Sequence, residues 1–335
     1  MVILATDEKE LGIIKDANIT IDANGERQFS LQIARCNWYD ELTFSNYVYV
    51  PDTEFGGEIG EVLTDTTLDY VEMKGFTWRG ILDHKIIEPD AGNDYKVVNG
   101  ELHSVMKSLI EDEFDGLFKI SDEDTGVVLT NYQFDRYCTL LAGLTKMLKN
   151  VGYRLKMKRK REKGIPGYIL VEAVPVIDYS SQIELSKDCR LNYTMDDIRN
   201  GVNHLIVTGK GELQERNVFH LYLHPDGSVS DVPYYTGKRE IVKVYENTSS
   251  ETEGLPALAE EELRKLGNRK IFKMDVAKLG LDVGIGDIVG GRDYLTGLYA
   301  AKPVENITYS LINEVEEKIY KLEGEDNDED YNRSR

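Results

Sequence analysis

Cysteine is scarce: Cys36, Cys138 and Cys189 are the three in 335 residues. An odd number at wide intervals with no C-x-x-C pair argues against a disulfide framework or structural zinc, and fits a reducing compartment. Long apolar runs are missing as well, since nothing approaches the roughly 20 consecutive apolar residues of a membrane helix. The N-terminus is apolar only over Val2 to Ala5 before it turns acidic, so it has neither the charged flank nor the long core of a signal peptide. These shortages point to a soluble protein made in the cytoplasm, without membrane insertion. Basic charge is the next shortage: 40 Lys and Arg stand against 60 Asp and Glu, a formal net charge of −20. Such a surface repels phosphate backbones and disfavours sequence-specific nucleic-acid binding. No repeat of fixed period occurs, which argues against a solenoid or propeller.

Motifs for chemistry are equally thin. Among the five histidines, His84, His103, His204, His220 and His224, the last two form H-x-x-x-H. On a helix that spacing chelates zinc, but Phe219 to Leu223 alternates as a strand, where residues four apart lie roughly 13 Å apart. Gly209-Lys210-Gly211 and Gly284-Ile285-Gly286 lack the third glycine of a phosphate loop and precede no predicted helix, so both read as turns. No nucleophile elbow and no Cys matched to His and Asn by a family signature is present. Carboxylates are too numerous for counting to exclude an acid/base pair. The reading assigns no catalytic, cofactor-binding or metal-ligating residue, and no cofactor.

What is present is mostly β-pattern. A 41 % hydrophobic content over this length supplies two or three cores. From Gly12 to Pro89 short alternating runs recur: Ile19 to Ile21, the Asn24-Gly25 turn signal, Phe29 to Ile33, Thr43 to Val50, Ile59 to Leu63, Thr67 to Phe76 and Ile81 to Ile87. Helical spacing then takes over, with Leu102, Val105, Met106, Leu109 and Ile110 on one face. A longer helix with Phe134, Tyr137, Leu141, Leu144, Leu148 and Val151 follows, opened by the Thr130/Gln133 capping pair and stopped at Gly152. A hairpin, Tyr153 to Lys163 and Tyr168 to Ile177 around Gly164-Ile165-Pro166-Gly167, gives these helices a sheet to pack on. From Ser181 alternation resumes at 203–208, 218–223, 240–245, 271–276, 288–291, 296–300 and 304–322, interrupted by a helix from Pro256 to Leu266. The stretch after Glu323 is too charged to bury anything.

The predicted fold class is therefore α+β, predominantly β. Two β-barrel-like tube domains, 1–88 and 181–322, flank an inserted α+β domain, 89–180, and residues 323–335 form a disordered acidic tail. Two features stand apart. The basic run Arg154, Lys156, Lys158, Arg159, Lys160, Arg161 and Lys163 reads as a solvated, lysine-guarded edge strand; its functional alternative is contact with an acidic partner or passing nucleic acid. Twenty tyrosines against nine phenylalanines, some alternating as in Tyr47-Val48-Tyr49, suit half-wet interfaces as well as ordinary outward strand positions.

Three segments carry a resemblance. Gly75-Phe76-Thr77-Trp78-Arg79-Gly80-Ile81-Leu82, running into Ile86-Ile87-Glu88-Pro89, resembles the strand by which the tail hub proteins of phages and prophages leave their first barrel. Asn203-His204-Leu205-Ile206-Val207-Thr208-Gly209-Lys210-Gly211 is similar to their re-entry strand. Val283-Gly284-Ile285-Gly286-Asp287-Ile288-Val289-Gly290-Gly291-Arg292-Asp293, with Thr296-Gly297, resembles their closing hairpin. The resemblance implies a non-enzymatic baseplate or tail-tip hub in the virion. It would be a homotrimer adapting the six-fold tail tube to a three-fold spike or tip. Its partners would be the tail tube or distal tail protein, the spike or tip protein and the tape measure protein, with DNA passing unspecifically through an acidic lumen. A peptidoglycan-cleaving tail hydrolase and a host carbohydrate-binding module are the alternatives.

Overall fold

The computed structural model describes residues 2–6, 9–14, 17–162, 165–180, 193–211, 216–247 and 254–324. Lys163, Gly164, Cys189, the first residues expected in the second β domain and the acidic stretch beyond Gly324 lie outside them. The architecture is α+β and predominantly β. Two units result: 1–192 with 274–291 and 301–335, and 193–273 with 292–300.

The first unit begins with β1 (Val2–Ala5), β2 (Glu10–Ile14), β3 (Ala17–Asp22), β4 (Gln28–Ala34), β5 (Tyr47–Tyr49), β6 (Gly56–Thr64) and β7 (Tyr70–Thr77). Period-two alternation places Ile19, Ile21, Phe29, Leu31, Ile33, Val71 and Met73 on one buried face. The Asn24-Gly25 turn joins β3 to β4 as its sequence predicts, with the Gly25 amide donating to Asp22 Oδ1 at 2.7 Å. Where β6 meets β7, Gly57 and Gly75 let two backbones and the Phe29 ring converge. A Cβ on Gly75 would fall 1.8 Å from the Glu58 carbonyl oxygen, and one on Gly57 2.1 Å from that of Phe76.

The chain continues through α1 (Trp78–Asp83), β8 (Val97–Glu101), α2 (Leu102–Ile110), β9 (Phe118–Ile120), β10 (Val128–Gln133), α3 (Leu140–Asn150), β11 (Tyr153–Lys160) and β12 (Tyr168–Pro175). Two expectations are corrected here. Ile81 to Ile87 is not a strand: α1 runs to Asp83, opened by Thr77, whose Oγ1 accepts from the Gly80 amide at 3.4 Å. The helix expected from Phe134 starts at Leu140 instead, capped by Thr139, while Thr130 and Gln133 belong to β10. Tyr137 has φ 53°, a left-handed conformation that no helix passes through. β11 and β12 are antiparallel, β9 joins β12 in parallel, and the helices cover their inner face. That core continues without a break into Ile3, Ala5, Tyr47, Tyr49 and Trp78 of the first sheet. The segment 89–180 is thus not the separate body that the change of periodicity suggests, because its helices bury their stripes partly against the sheet's outer face.

The second unit holds β13 (Tyr193–Ile198), β14 (His204–Thr208), β15 (Val218–Leu223), β16 (Val229–Ser230), β17 (Val242–Glu246), α4 (Leu255–Leu266) and β18 (Arg269–Met274). Its four-stranded sheet, β16-β15-β14-β17, buries Leu205, Val207 and Leu221 under Leu255, Ala259 and Leu263 of α4. β13 and β18 form a separate ladder.

Three strands remain: β19 (Ile288–Arg292), β20 (Tyr299–Ile312) and β21 (Val315–Leu322). The sequence reading places them in a second β domain, yet β20 pairs with β3, giving the order β19-β20-β3-β4-β7-β6-β5-β1-β2 with β21 on β20. Asn24 seals this joint, its amide donating to Asn306 Oδ1 at 2.7 Å and its Nδ2 to the Glu305 carbonyl at 2.8 Å. Phe55, just before β6, stacks on Tyr309 of β20 with ring centroids 5.4 Å apart. In a flat sheet β6 and β20 would be four strand spacings apart, roughly 19 Å. The sheet is therefore rolled into a barrel-like form.

Two outcomes are expected. Gly75→Ala should destabilise by about 1–3 kcal/mol through overpacking, whereas Gly60→Ala in the same sheet, with open space around it, should shift stability by less than about 1 kcal/mol; equal urea midpoints would contradict the close approach. Glu101 caps α2, accepting from the Ser104 amide at 2.8 Å and Thr125 Oγ1 at 2.7 Å. Burial opposes its charge, but these bonds prevail and hold its carboxyl down at about 2. Because the folded value lies below the unfolded one, the stabilisation is complete above about pH 4.5 and is lost as pH falls toward 2. Glu101→Gln should flatten the stability curve over that window, as read from urea titrations at stepped pH.

Candidate functional site

The basic run is where the sequence placed its strongest local anomaly, and the structure sorts its residues by type. β11 lies at the edge of its three-stranded sheet, but that edge is not solvated as expected. The Leu155 carbonyl accepts from Arg79 Nη2 at 3.0 Å, and the Arg159 amide donates to the Thr53 carbonyl at 3.4 Å. Arg79, itself buried, also pairs with Glu54 at 2.9 Å. The strand is covered by the first sheet's own loop and helix.

Each arginine of β11 and its extension has an internal task. Arg154 Nε donates to Asp287 Oδ1 at 2.7 Å, and that carboxylate, fully buried, also accepts from the amides of Ile177 and Gly284 at 2.9 Å each. Gly284 and Gly286 make the cradle: a Cβ on Gly284 would sit 2.6 Å from an Arg154 guanidinium nitrogen, and one on Gly286 3.0 Å from Arg154 Cβ, with φ +96° there. The Gly284-Ile285-Gly286 motif is thus a turn shaped to an arginine. The Arg159 guanidinium lies 5.0 to 5.8 Å from the ring centroids of Tyr47, Tyr49 and Trp78, an aromatic cage for a buried cation. Gly167 leaves room for its other side, since a Cβ there would come within 2.4 Å of the guanidinium. Arg161 pairs with Glu10 at 2.9 Å, and Glu10 accepts from Tyr49 Oη at 2.7 Å. The tyrosine bond does most to lower the Glu10 carboxyl, burial opposes it, and Arg161 assists. Tyr47 and Tyr49, candidates for a half-wet interface, are buried.

The histidines are placed differently from one another. His103 is a satisfied core residue, its Nδ1 2.6 Å from the Glu123 carbonyl and its Nε2 accepting from the Ala173 amide at 2.8 Å. His84 packs edge-on against Phe76. His220 and His224 do not come together: His224 bonds Ser230 and Val232, while His220 meets His204, its Nδ1 2.7 Å from His204 Nε2. His204 Nδ1 lies 2.7 Å from Glu240 Oε1, so a carboxylate just before β17, a buried imidazole on β14 and an exposed imidazole on β15 form one hydrogen-bonded chain. The signal for it is the hairpin register, which sets His204 opposite Tyr222 and Ile206 opposite His220; spacing along one strand could not reveal it. Among the described residues no group of three or more His, Cys, Asp or Glu is arranged to hold a metal ion. No described helix is long and apolar enough to cross a membrane. Cys36 is exposed and Cys138 half-buried, where burial pushes its thiol up.

The three segments of the sequence resemblance fall at junctions. Gly75 to Leu82 is the passage from β7 into α1, Asn203 to Gly211 is β14 with its following turn, and Val283 to Asp293 is the arginine cradle with β19. Comparison with solved structures finds tail proteins similar to this chain at low sequence identity. Against the tail protein of Neisseria meningitidis MC58 it shows 14% identity and a TM-score of 0.46, over 96% of this chain and 95% of that one. Against the 43 kDa tail protein of prophage MuSo2 from Shewanella oneidensis the values are 12% and 0.48, over 96% and 97%. Prophage tail protein gp18 of Listeria monocytogenes EGD-e gives 12% and 0.42, over 92% and 89%. No protein-family model and no curated protein matches the chain.

The Arg154–Asp287 pair yields a direct test. Arg154→Ala leaves a buried carboxylate without its cation and should cost about 3–5 kcal/mol in urea unfolding. The apolar double variant Arg154→Met/Asp287→Leu should recover only part of this, because the Ile177 and Gly284 amides lose their acceptor. Full recovery would reduce the site to a simple ion pair.

Proposed function

We propose that this chain is a structural hub at the tail end of a phage or phage-like particle, adapting a six-fold tail tube to a three-fold spike or tip. The observation that carries the reading is the position of the three hub-like segments. One stands at the exit from the rolled sheet, one in the sheet of the second β unit, and one at the return to the first sheet. A hub of this kind needs those transitions, because two β units must face the tube while the chain between them is free to build other contacts.

In this reading the protein is a non-enzymatic homotrimer. Each subunit supplies two β units, tube-like in the assembled ring, so that three chains present six similar faces to the tube. The tube or distal tail protein, the spike or tip protein and the tape measure protein are the partners. Cyclic symmetry closes head-to-tail contacts without forming filaments. The β21 strand, with Val315 and Ile319 exposed and, among the described residues, β20 as its one neighbour strand, is the type of edge that oligomers cover. The net charge of −20 suits a DNA conduit, since an acidic wall does not trap passing phosphates.

Symmetry-resolved imaging of the particle end should count three copies; two or six would overturn the hub. Zymography on cell-wall peptidoglycan should give no cleared band, and a band abolished by replacing one Asp or Glu would establish the hydrolase instead.

A further inference from the structure

Spacing along one strand pairs His220 with His224, but the fold gives His220 a different companion. β14 and β15 run antiparallel with His204 opposite Tyr222 and Ile206 opposite His220. The two histidines are therefore diagonal neighbours, a separation that ring side chains bridge. Leu205, Val207 and Leu221 are buried against α4, so alternation turns His204, His220 and Tyr222 to the other face of the sheet. There His204 Nε2 and His220 Nδ1 converge to 2.7 Å.

The third member of the chain decides which nitrogen offers its lone pair. A carboxylate accepts hydrogen bonds, so His204 Nδ1, 2.7 Å from Glu240 Oε1, carries the ring hydrogen and Nε2 keeps a lone pair aimed at His220. This is how metal-ligating histidines are held, one ring nitrogen donating to a carboxylate and the other presented to the ion. Tyr222 stacks on the His204 ring with centroids 4.3 Å apart, which fixes its plane as well. His204 is 7% exposed, whereas His220 is exposed. One ligand is thus rigid and the other adjustable.

Two imidazole nitrogens on one tetrahedral Zn²⁺, each at about 2.0–2.1 Å, stand about 3.3 Å from one another. From 2.7 Å the pair has to open by roughly 0.6 Å, a small displacement for an exposed ring. No proton need leave the site, because in its neutral form His220 moves its ring hydrogen from Nδ1 to the outer Nε2. The neighbouring positions on this face are Ile206, Tyr222, Val242 and Val244, none of them cationic. Glu240 adds the negative charge that favours a dication.

We propose that His204 Nε2 and His220 Nδ1 form a two-histidine site for Zn²⁺, with Glu240 as the carboxylate that orients His204 and water filling the other positions. The inference does not rest on the hub reading. Imidazole donors select zinc over the oxygen-seeking Mg²⁺ and Ca²⁺. With two protein ligands in place of the three or four of a dedicated centre, the ion is exchangeable, and it ties β14, β15 and the entry to β17 together while it is bound.

The test is a zinc chloride titration of the full chain carrying ¹⁵N-labelled histidine, read from the imidazole nitrogen resonances. His204 Nε2 and His220 Nδ1 should move to the positions of metal-bound nitrogens and His220 Nε2 to that of a protonated one. His84, His103 and His224 should stay where they are, and excess Mg²⁺ should reverse nothing. Calorimetry then compares variants. His220→Ala, which removes an exposed side chain, should bind zinc at least tenfold more weakly at an unchanged melting temperature in the presence of a chelator. Glu240→Gln keeps an acceptor but not the charge and should lose about tenfold, the usual effect of removing a ligand's carboxylate partner. Shifts at His224 or at no histidine, displacement of zinc by Mg²⁺, or undiminished affinity in His220→Ala would put the ion on other groups and overturn the site.

Discussion

A single buried ion pair sets the frame of the first unit. Asp287 has no exposed side-chain surface and accepts three donors: the Arg154 guanidinium and the amides of Ile177 and Gly284. Backbone bonds spread outward from it. Ile288 donates to the Ile177 carbonyl, Tyr179 to that of Ile288, Val304 to that of Asp287, and Gly286 to that of Val304. The strand leaving the helical module, the turn returning from the second unit and the long strand β20 therefore meet at one carboxylate. A charge in that position is tolerable only with its partners in place, so the three segments are obliged to assemble together.

The division of labour along β11 follows from the side-chain chemistry. Guanidinium groups are planar, weakly hydrated and able to serve several acceptors or rings at once, and these occupy the buried or geometrically demanding places: the Asp287 carboxylate, the aromatic cage and Glu10. Ammonium groups are strongly hydrated point charges and stay at the open face. A run that looks uniformly basic in the sequence is thus two interleaved sets with different environments. The alternation of the strand and the choice between Arg and Lys are both needed to see it.

Much of the local structure was legible. The Asn24-Gly25 hairpin, α2, the β11–β12 hairpin and α4 each combine a clear period with a turn or cap signal. The failures share a different origin. Ile81 to Ile87 alternates acceptably, but Gly80 packs against the Arg27 carbonyl, a contact set by tertiary structure that favours a short helix there. Phe134 has helical spacing to Leu141, yet the left-handed Tyr137 between them breaks the helix. The assignment of 304–322 failed because strand pairing between β20 and β3 depends on Asn24 and Asn306, which no periodicity links. Tyr47 and Tyr49 looked like outward residues, since a strand pattern shows which residues share a face and not what covers it. The His204–His220 contact was hidden for a related reason: it runs across a ladder.

The pairing of β3 with β20 also has a consequence in time. Their partners are separated by roughly 290 residues, so a ribosome adding about 5–20 residues per second needs roughly 15 to 60 s to deliver the second strand after the first. Throughout that interval the nascent chain carries an open edge on β3, with the face of Ile19 and Ile21 incompletely enclosed. The four-stranded sheet of unit two draws its strands from residues 204–246 and can be completed while the older sheet waits. Expression of this chain should therefore be governed by the protection of an unfinished edge during synthesis, and slow translation near the C-terminus would prolong the vulnerable period rather than help folding.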